Sequence, residues 1–123
     1  MATGGLIAES LRVGSVLTDV RLVVTRISRF EPPNAIPEDP PIWTLLDFEI
    51  DDVDASALAA KLEPVLDDDP IAWYCDFHTE GESLVVFPGR TFRYPRGDTD
   101  GRARAEAYAR SRGIPDSQLD WPT

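Results

Sequence analysis

The clearest pattern of apolar and polar positions lies in residues 42–50, which end in strict alternation. Phe48 and Ile50 fall on one side of an extended chain, and Asp47 and Glu49 fall on the other. Alternation with a period of two is typical of a strand that buries one face and exposes the other. The pattern therefore predicts a half-buried strand over these nine positions.

Further strands are indicated by runs of β-branched, aromatic and other apolar residues between turn residues. They are predicted at residues 20–30, 72–78, 83–87 and 91–94. Gly81 and the pair Pro88-Gly89 provide the turns between the last three of these strands. In residues 72–78, alternation places Trp73, Cys75 and Phe77 on one face.

Helical spacing of apolar residues and capping residues indicate two helices, at residues 55–63 and 99–112, with a short third helix after Pro115. Asp54 is a favourable N-cap for the first helix, in which Leu58 and Leu62 begin an apolar stripe. Gly113 suits the position after the end of the second helix.

Together these elements predict a single α+β domain over residues 1–123, with the order ββαβββα. A strand, the first helix and the next strand would form a right-handed crossover, and the first two strands would pair as an antiparallel hairpin. The expected architecture is a two-layer sandwich, in which both helices cover one face of a mixed, mostly antiparallel sheet. In topology it resembles a permuted ferredoxin-like sandwich, and topology alone implies no function.

Charge is distributed unevenly along the chain. The net charge is −10, and residues 31–82 carry fifteen acidic side chains against Lys61 alone. This balance disfavours nucleic acid as a partner. We expect the acidic segment to be neutralised mainly within the molecule, by Arg21, Arg26, Arg29 and the arginines of residues 90–96. The alternative is an acidic face that meets a basic protein.

Cysteine content and hydropathy indicate the compartment. One cysteine, Cys75, cannot form an internal disulfide, and no apolar run is long enough to span a bilayer. With no signal-peptide pattern at the N-terminus, we expect a cytoplasmic protein without membrane association. Cys75 has no neighbouring base in the sequence and is expected to act as a small apolar side chain.

The predicted strand at residues 72–78 contains the strongest group of candidate functional side chains. Alternation places Tyr74, Asp76 and His78 in a row on the face opposite Cys75. A histidine beside a carboxylate can act as an oriented base, but one histidine does not make a zinc site, and we expect no metal or cofactor. The simplest expectation is that Asp76 hydrogen-bonds His78 and raises its pKa.

Two other segments are candidates for binding. Arg90, Arg93 and Arg96 are interleaved with aromatic residues, a pattern that can bind an anion, although these arginines can equally pair with the acidic segment. The connector at residues 31–41 contains five prolines and is expected to be stiff, with a lid or docking segment as the alternative.

No motif selects a reaction, so we expect a small acidic binding protein without catalytic activity, of the inhibitor or immunity type, directed at a basic protein partner. Self-association through a sheet face or strand edge is a further possibility. The alternative is a small-molecule-binding domain or enzyme, with a polar site at Tyr74, Asp76 and His78 and an anion-binding arginine. A concave cavity over Asp76 and His78 would favour this alternative.

Overall fold

Six strands and two helices form the protein in the computed structural model, which describes all 123 residues. The strands are β1 (Ala2–Ile7), β2 (Val23–Phe30), β3 (Trp43–Ile50), β4 (Cys75–His78), β5 (Glu82–Phe87) and β6 (Arg90–Pro95). The helices are α1 (Ala55–Leu62) and α2 (Thr99–Ser111), and single 3-10 turns lie at Ala8–Ser10, Asp52–Asp54 and Asp116–Gln118. None of the helices has the length and apolar character that a membrane crossing requires.

The strands form one sheet in the order β2-β3-β1-β4-β5-β6, and every neighbouring pair is antiparallel. The predicted α+β class and the hairpin of β2 and β3 are confirmed. The structure differs from the expected mixed sheet because β1 lies between β3 and β4. These two strands run parallel to each other and are connected through α1, but each hydrogen-bonds to β1.

β1 was not among the predicted strands, although it occupies the centre of the sheet. Its sequence, ATGGLI, contains two glycines and only two large apolar residues, so it lacks the side chains that mark a strand. Its close contacts explain the glycine at position 4. A Cβ on Gly4 would lie 2.4 Å from the carbonyl oxygen of Asp76 and 2.5 Å from Cβ of Phe77. Only a residue without a side chain fits where β1 crosses β4.

The two helices pack on opposite faces of the sheet, and this corrects the expectation that both cover one face. Leu84 and Val86 of β5 belong to the core under α1, whereas Val85 and Phe87 belong to the core under α2. All four side chains are at most 1% exposed. A continuous apolar run, rather than alternation, is typical of a strand that is buried on both faces, and this run was the sequence signal for the second helix layer.

The helix ends follow the sequence in part, because Asp54 is the N-cap residue of α1 but its side chain accepts no capping hydrogen bond. Asp98 caps α2, where its Oδ1 accepts hydrogen bonds from the backbone amides of Asp100 and Gly101, both at 3.1 Å. Leu58 and Leu62 of α1 are buried, as the apolar stripe predicted. Gly113 ends the second helix at φ +87°, in the left-handed region that favours glycine.

Cys75 lies in the core under α1, on the same face as Phe77. It is 1% exposed, and its Sγ donates to the carbonyl oxygen of Gly5 at 3.3 Å. Burial raises the pKa of the thiol well above its ordinary value. Trp73 does not share this face, because β4 begins only at Cys75 and the preceding residues leave the strand alternation.

We expect Cys75 to react with a thiol reagent only when the protein opens, because both burial and the raised thiol pKa suppress the reactive thiolate. Labelling followed by mass spectrometry should give a rate that is slow in native buffer and rises steeply in urea. Rapid stoichiometric labelling in native buffer would contradict the observed register of β4.

Candidate functional site

A cavity of about 320 Å³ lies on the α2 face of the sheet, beside the area that α2 covers. Its floor is formed by β1 and β3, with Gly5 and Leu45 exposed to it, and by Asp76 of β4. Residues 31–41 and the C-terminal segment supply the remaining walls through Pro33 and Gln118, among others. The cavity is therefore assembled from five segments that are far apart in the sequence.

One side of the cavity is aromatic. Phe30 and Trp43 pack edge to face with ring centroids 6.5 Å apart, and Trp43 and Trp73 do the same at 5.2 Å. The three rings line the cavity together. The indole of Trp43 is held in place, because its Nε1 donates to the carbonyl oxygen of Pro40 at 3.1 Å. The wall therefore presents oriented aromatic, apolar surface to a ligand.

The proline-rich segment at residues 31–41 forms the rim and is fastened to the C-terminal segment. Asn34 Nδ2 donates to the carbonyl oxygen of Ser117 at 2.9 Å, and Gln118 Nε2 donates to the carbonyl oxygen of Asn34 at 3.0 Å. The same Nε2 lies 3.0 Å from Oδ2 of Asp39. These bonds join two loops that are more than 75 residues apart, so the rim is an ordered part of the site.

Tyr74 places a hydroxyl at the edge of the cavity beside a carboxylate. Its Oη donates to the carbonyl oxygen of Gln118 and lies 3.2 Å from Oδ1 of Asp120. Burial, together with the charges of Asp76 and Asp120, raises the pKa of the phenol, so Tyr74 stays a neutral donor at every physiological pH.

Asp76 is the carboxylate in the cavity whose pKa is most perturbed. Burial raises its pKa to about 7, with a further rise from the charge of Asp120 and a partial offset from Arg102. No other residue donates a hydrogen bond to its carboxylate. A carboxylate in this state can hold or release a proton near neutral pH, or it can pair with a cation from outside the protein.

The cavity lining contains no basic side chain. Its charged members are Asp39, Asp76 and Asp120, and Asp39 already accepts hydrogen bonds from Gln118 and from the backbone amide of Ile36. Its field is therefore negative. The positive charge that acts on Asp76, that of Arg102, packs over the indole of Trp121, with its guanidinium 4.8 Å from the ring centroid and its Nη1 donating to the Trp121 carbonyl oxygen at 2.7 Å.

His78 lies on the same strand face as Asp76 but outside the cavity lining. The expected pairing is wrong: Nδ1 of His78 is buried without a hydrogen-bond partner, and Asp76 does not act on its titration. Burial, with a smaller contribution from Arg96, lowers the pKa of the imidazole instead of raising it. Side chains two apart on a strand are about 7 Å apart, too far for a direct bond without a bend.

The lowered pKa of His78 reverses the expected pH dependence. Stability that comes from the neutral imidazole should be fully present above the unfolded pKa of about 6.5 and lost as the pH falls through the lower folded value. Because His78 is the only histidine, NMR titration of its ring protons reports this group alone. We expect a midpoint below 6.5, and a midpoint above that value would restore the pairing with Asp76.

The candidate arginines are not brought together at the cavity. Arg90 packs over the rings of Phe92 and Tyr108, with its guanidinium 4.5 Å and 5.0 Å from the two centroids. Arg93 pairs with Glu82 through Nε at 2.6 Å, on the α1 face. Arg96 reaches the carbonyl oxygen of Thr79 at 3.5 Å. Of the predicted site residues, Tyr74 and Asp76 therefore lie together at the cavity, whereas His78 and the three arginines lie elsewhere.

Neutralisation of the acidic segment within the molecule is far less complete than predicted. Of the fifteen acidic residues in 31–82, only Asp52, Asp68 and Glu82 form ion pairs. Among the arginines expected to neutralise them, Arg93 alone does so. Nor do His, Cys, Asp and Glu side chains form any group of three or more that could hold a metal ion.

Several residues of the cavity were not singled out in the sequence, namely Phe30, Trp43, Trp73, Gln118 and Asp120. The available sequence signal was the position of two tryptophans beside irregular segments. Trp43 comes just after the proline-rich segment, and Trp73 comes just before β4. Aromatic residues at strand ends are common in cores, so this signal did not distinguish a wall from a core.

No known protein family matches the chain, and neither a curated protein nor a solved structure matches it.

Proposed function

We propose that this protein binds a small, largely apolar organic molecule in the cavity between the sheet, the proline-rich segment at residues 31–41 and the C-terminal segment. The supporting observation is the cavity itself, which combines an aromatic wall with the unpartnered carboxylate of Asp76. Ligand sites are typically concave, mostly apolar cavities of about 300–1,000 Å³ with a few convergent polar groups.

The cavity favours the small-molecule alternative of the sequence analysis, in a modified form. Tyr74 and Asp76 remain in the proposed site, while the wall and rim come from Trp43, Trp73 and Gln118. Binding rather than catalysis is the proposed role, because the cavity lining contains no serine, threonine, cysteine, histidine or lysine that could act as a nucleophile beside Asp76. The proposed location is the cytoplasm, in keeping with a single buried thiol.

The cost of the Asp76 carboxylate to the stability of the protein also supports this proposal. A carboxylate that is buried without a partner lowers stability whenever it is ionised. An asparagine would fit the same volume without the charge. Residues that reduce stability are concentrated at functional sites, where the gain lies in ligand binding.

A fragment library screened by ligand-observed NMR and by thermal shift tests the proposal. We expect hits that perturb the backbone amides of Gly5 and Leu45 in the labelled protein and quench the fluorescence of Trp43 and Trp73. Gly5→Ala places a methyl group on the cavity floor, 3.0 Å from Cδ1 of Leu45, and should weaken every such hit. Thr3 is exposed and does not line the cavity, so Thr3→Ser is the matched control in β1. Hits whose affinity is unchanged in Gly5→Ala, or a screen without hits, would refute the cavity as a binding site.

A second candidate function, binding of a basic protein, is favoured by the twelve acidic residues of the segment that lack ion pairs. In that case the unpaired carboxylates repel one another in the isolated protein. Added salt should screen this repulsion and raise the melting temperature. Differential scanning calorimetry across a sodium chloride series measures this shift. A melting temperature that does not move with salt would count against an exposed acidic face and against this candidate.

A further inference from the structure

We infer that the ligand of this cavity is an organic amine, a protonated nitrogen on an aromatic or aliphatic body, with the Asp76 carboxylate as its counter-ion. This inference rests on the proposed function and adds the chemical class of the ligand. It depends on the charge of the lining, on the partners of its carboxylates and on the chemistry of its walls.

The charge of the cavity lining argues first against anionic and neutral ligands. Every charged side chain in the lining is a carboxylate, and the guanidinium of Arg102, which acts on Asp76 from outside the lining, donates to the carbonyl oxygens of Leu119 and Trp121. A carboxylate or phosphate ligand would find no cation to pair with and would be repelled by Asp76 and Asp120. A neutral ligand would leave the charge of Asp76 uncompensated whenever that carboxylate is ionised.

The partners of the three carboxylates then select one counter-ion. Asp39 is bonded to Gln118 and to the backbone amide of Ile36, and Asp120 lies beside the hydroxyl of Tyr74. Asp120 is exposed to solvent, whereas Asp76 is half-buried and has no donor from another residue. The cavity therefore offers one half-buried carboxylate that can pair with a cationic donor, and a ligand with a single ammonium group matches that number.

The walls suit a cation with an apolar body. Trp43 and Trp73 form one side of the cavity at a centroid separation of 5.2 Å, and Phe30 extends it. Aromatic ring faces attract ammonium groups through the ring quadrupole, most strongly for tryptophan and most of all when water is excluded. The same rings bury the hydrocarbon part of an amine ligand.

Matched probes of three charge classes test the inference. The set comprises phenethylamine, phenethyl alcohol and phenylacetate, together with naphthylmethylamine, naphthylmethanol and naphthoate. Titration calorimetry at pH 8 should give an affinity for each amine about tenfold or more above that for its alcohol, because a charge-assisted hydrogen bond is roughly twice as strong as a neutral one. The carboxylates should bind most weakly.

Two variants assign the preference to Asp76. Asp76→Asn keeps the shape of the side chain and should remove most of the advantage of amine over alcohol, while the affinity for the alcohol changes little. Glu80→Gln removes the same charge from an exposed turn and should leave the preference intact. If Asp76→Asn and the wild type prefer amines equally, the inference is overturned.

Acidification provides an independent readout. The groups that face Asp76 are Asp120 and Tyr74 at the cavity and Arg102 from α2, and His78 is next along its strand face. Protonation of Asp76 near pH 5 should weaken amine binding and leave alcohol binding nearly unchanged. Alcohol and amine affinities that fall together would contradict the role of Asp76.

The outcomes separate the inference from the proposed function. Alcohols or carboxylates that bind better than amines, and that are weakened by Gly5→Ala, would overturn the amine inference and leave the cavity as a ligand site. Failure of all six probes at millimolar concentration, together with a fragment screen without cavity hits, would overturn both.

Discussion

Replacing Gly4 by alanine is expected to destabilise the protein by about 3 kcal/mol or more, a large part of the stability of a domain of this size. The new Cβ would lie 2.4 Å from the carbonyl oxygen of Asp76 and 2.9 Å from Cα of Phe77. These are backbone atoms of β4, and they cannot rotate away as the end of a flexible side chain can. The only relief is a shift of β1 against β4 at the centre of the sheet.

Gly5→Ala is the matched control, one residue along the same strand and facing the other way. Its Cβ would approach Cδ1 of Leu45 at 3.0 Å, and that methyl group can move. We therefore expect Gly5→Ala to stay within about 1 kcal/mol of the wild type. Urea unfolding followed by circular dichroism compares the two variants. Equal stability of Gly4→Ala and Gly5→Ala would show that β1 does not lie between β3 and β4.

Asp76→Asn is expected to stabilise the protein by about 2 kcal/mol at pH 8 and by much less at pH 4. The folded pKa of Asp76, about 7, lies well above the ordinary value of 3.8. The folded state therefore binds the proton more tightly than the unfolded state. The contribution of Asp76 to stability is fully present below the unfolded pKa and is lost as the pH rises through the folded one.

Denaturant unfolding at a series of pH values measures this difference directly. The wild type should lose stability relative to Asp76→Asn between pH 4 and pH 8. Glu80→Gln serves as control, since its exposed carboxylate should alter stability by no more than about 0.5 kcal/mol at either pH. A wild type that is as stable as Asp76→Asn at pH 8 would mean that the Asp76 carboxylate is hydrated or paired in solution.

A stabilising Asp76→Asn that also loses the amine preference would connect the two properties of this carboxylate. The buried charge that destabilises the empty protein would then be the charge that the ligand neutralises. Such a variant would be more stable and less functional, as is common when a binding residue is replaced.

Local patterns in the sequence determined most of the elements of this protein. The alternation in residues 42–50 predicted β3, and the leucines of residues 55–63 predicted the buried face of α1. Gly113 marked the end of α2. Each of these features depends on residues within a few positions of one another, because strand and helix periodicity and capping are short-range effects.

The tertiary structure alone decided the position of β1 and the existence of the cavity. β1 is defined by the close approach of Gly4 to β4, more than 70 residues away, and not by any preference of its own sequence. The raised pKa of Asp76 comes from burial under the C-terminal segment and from Asp120. Burial and electrostatic coupling depend on which distant segments meet, and nothing in the residues around Asp76 specifies that meeting.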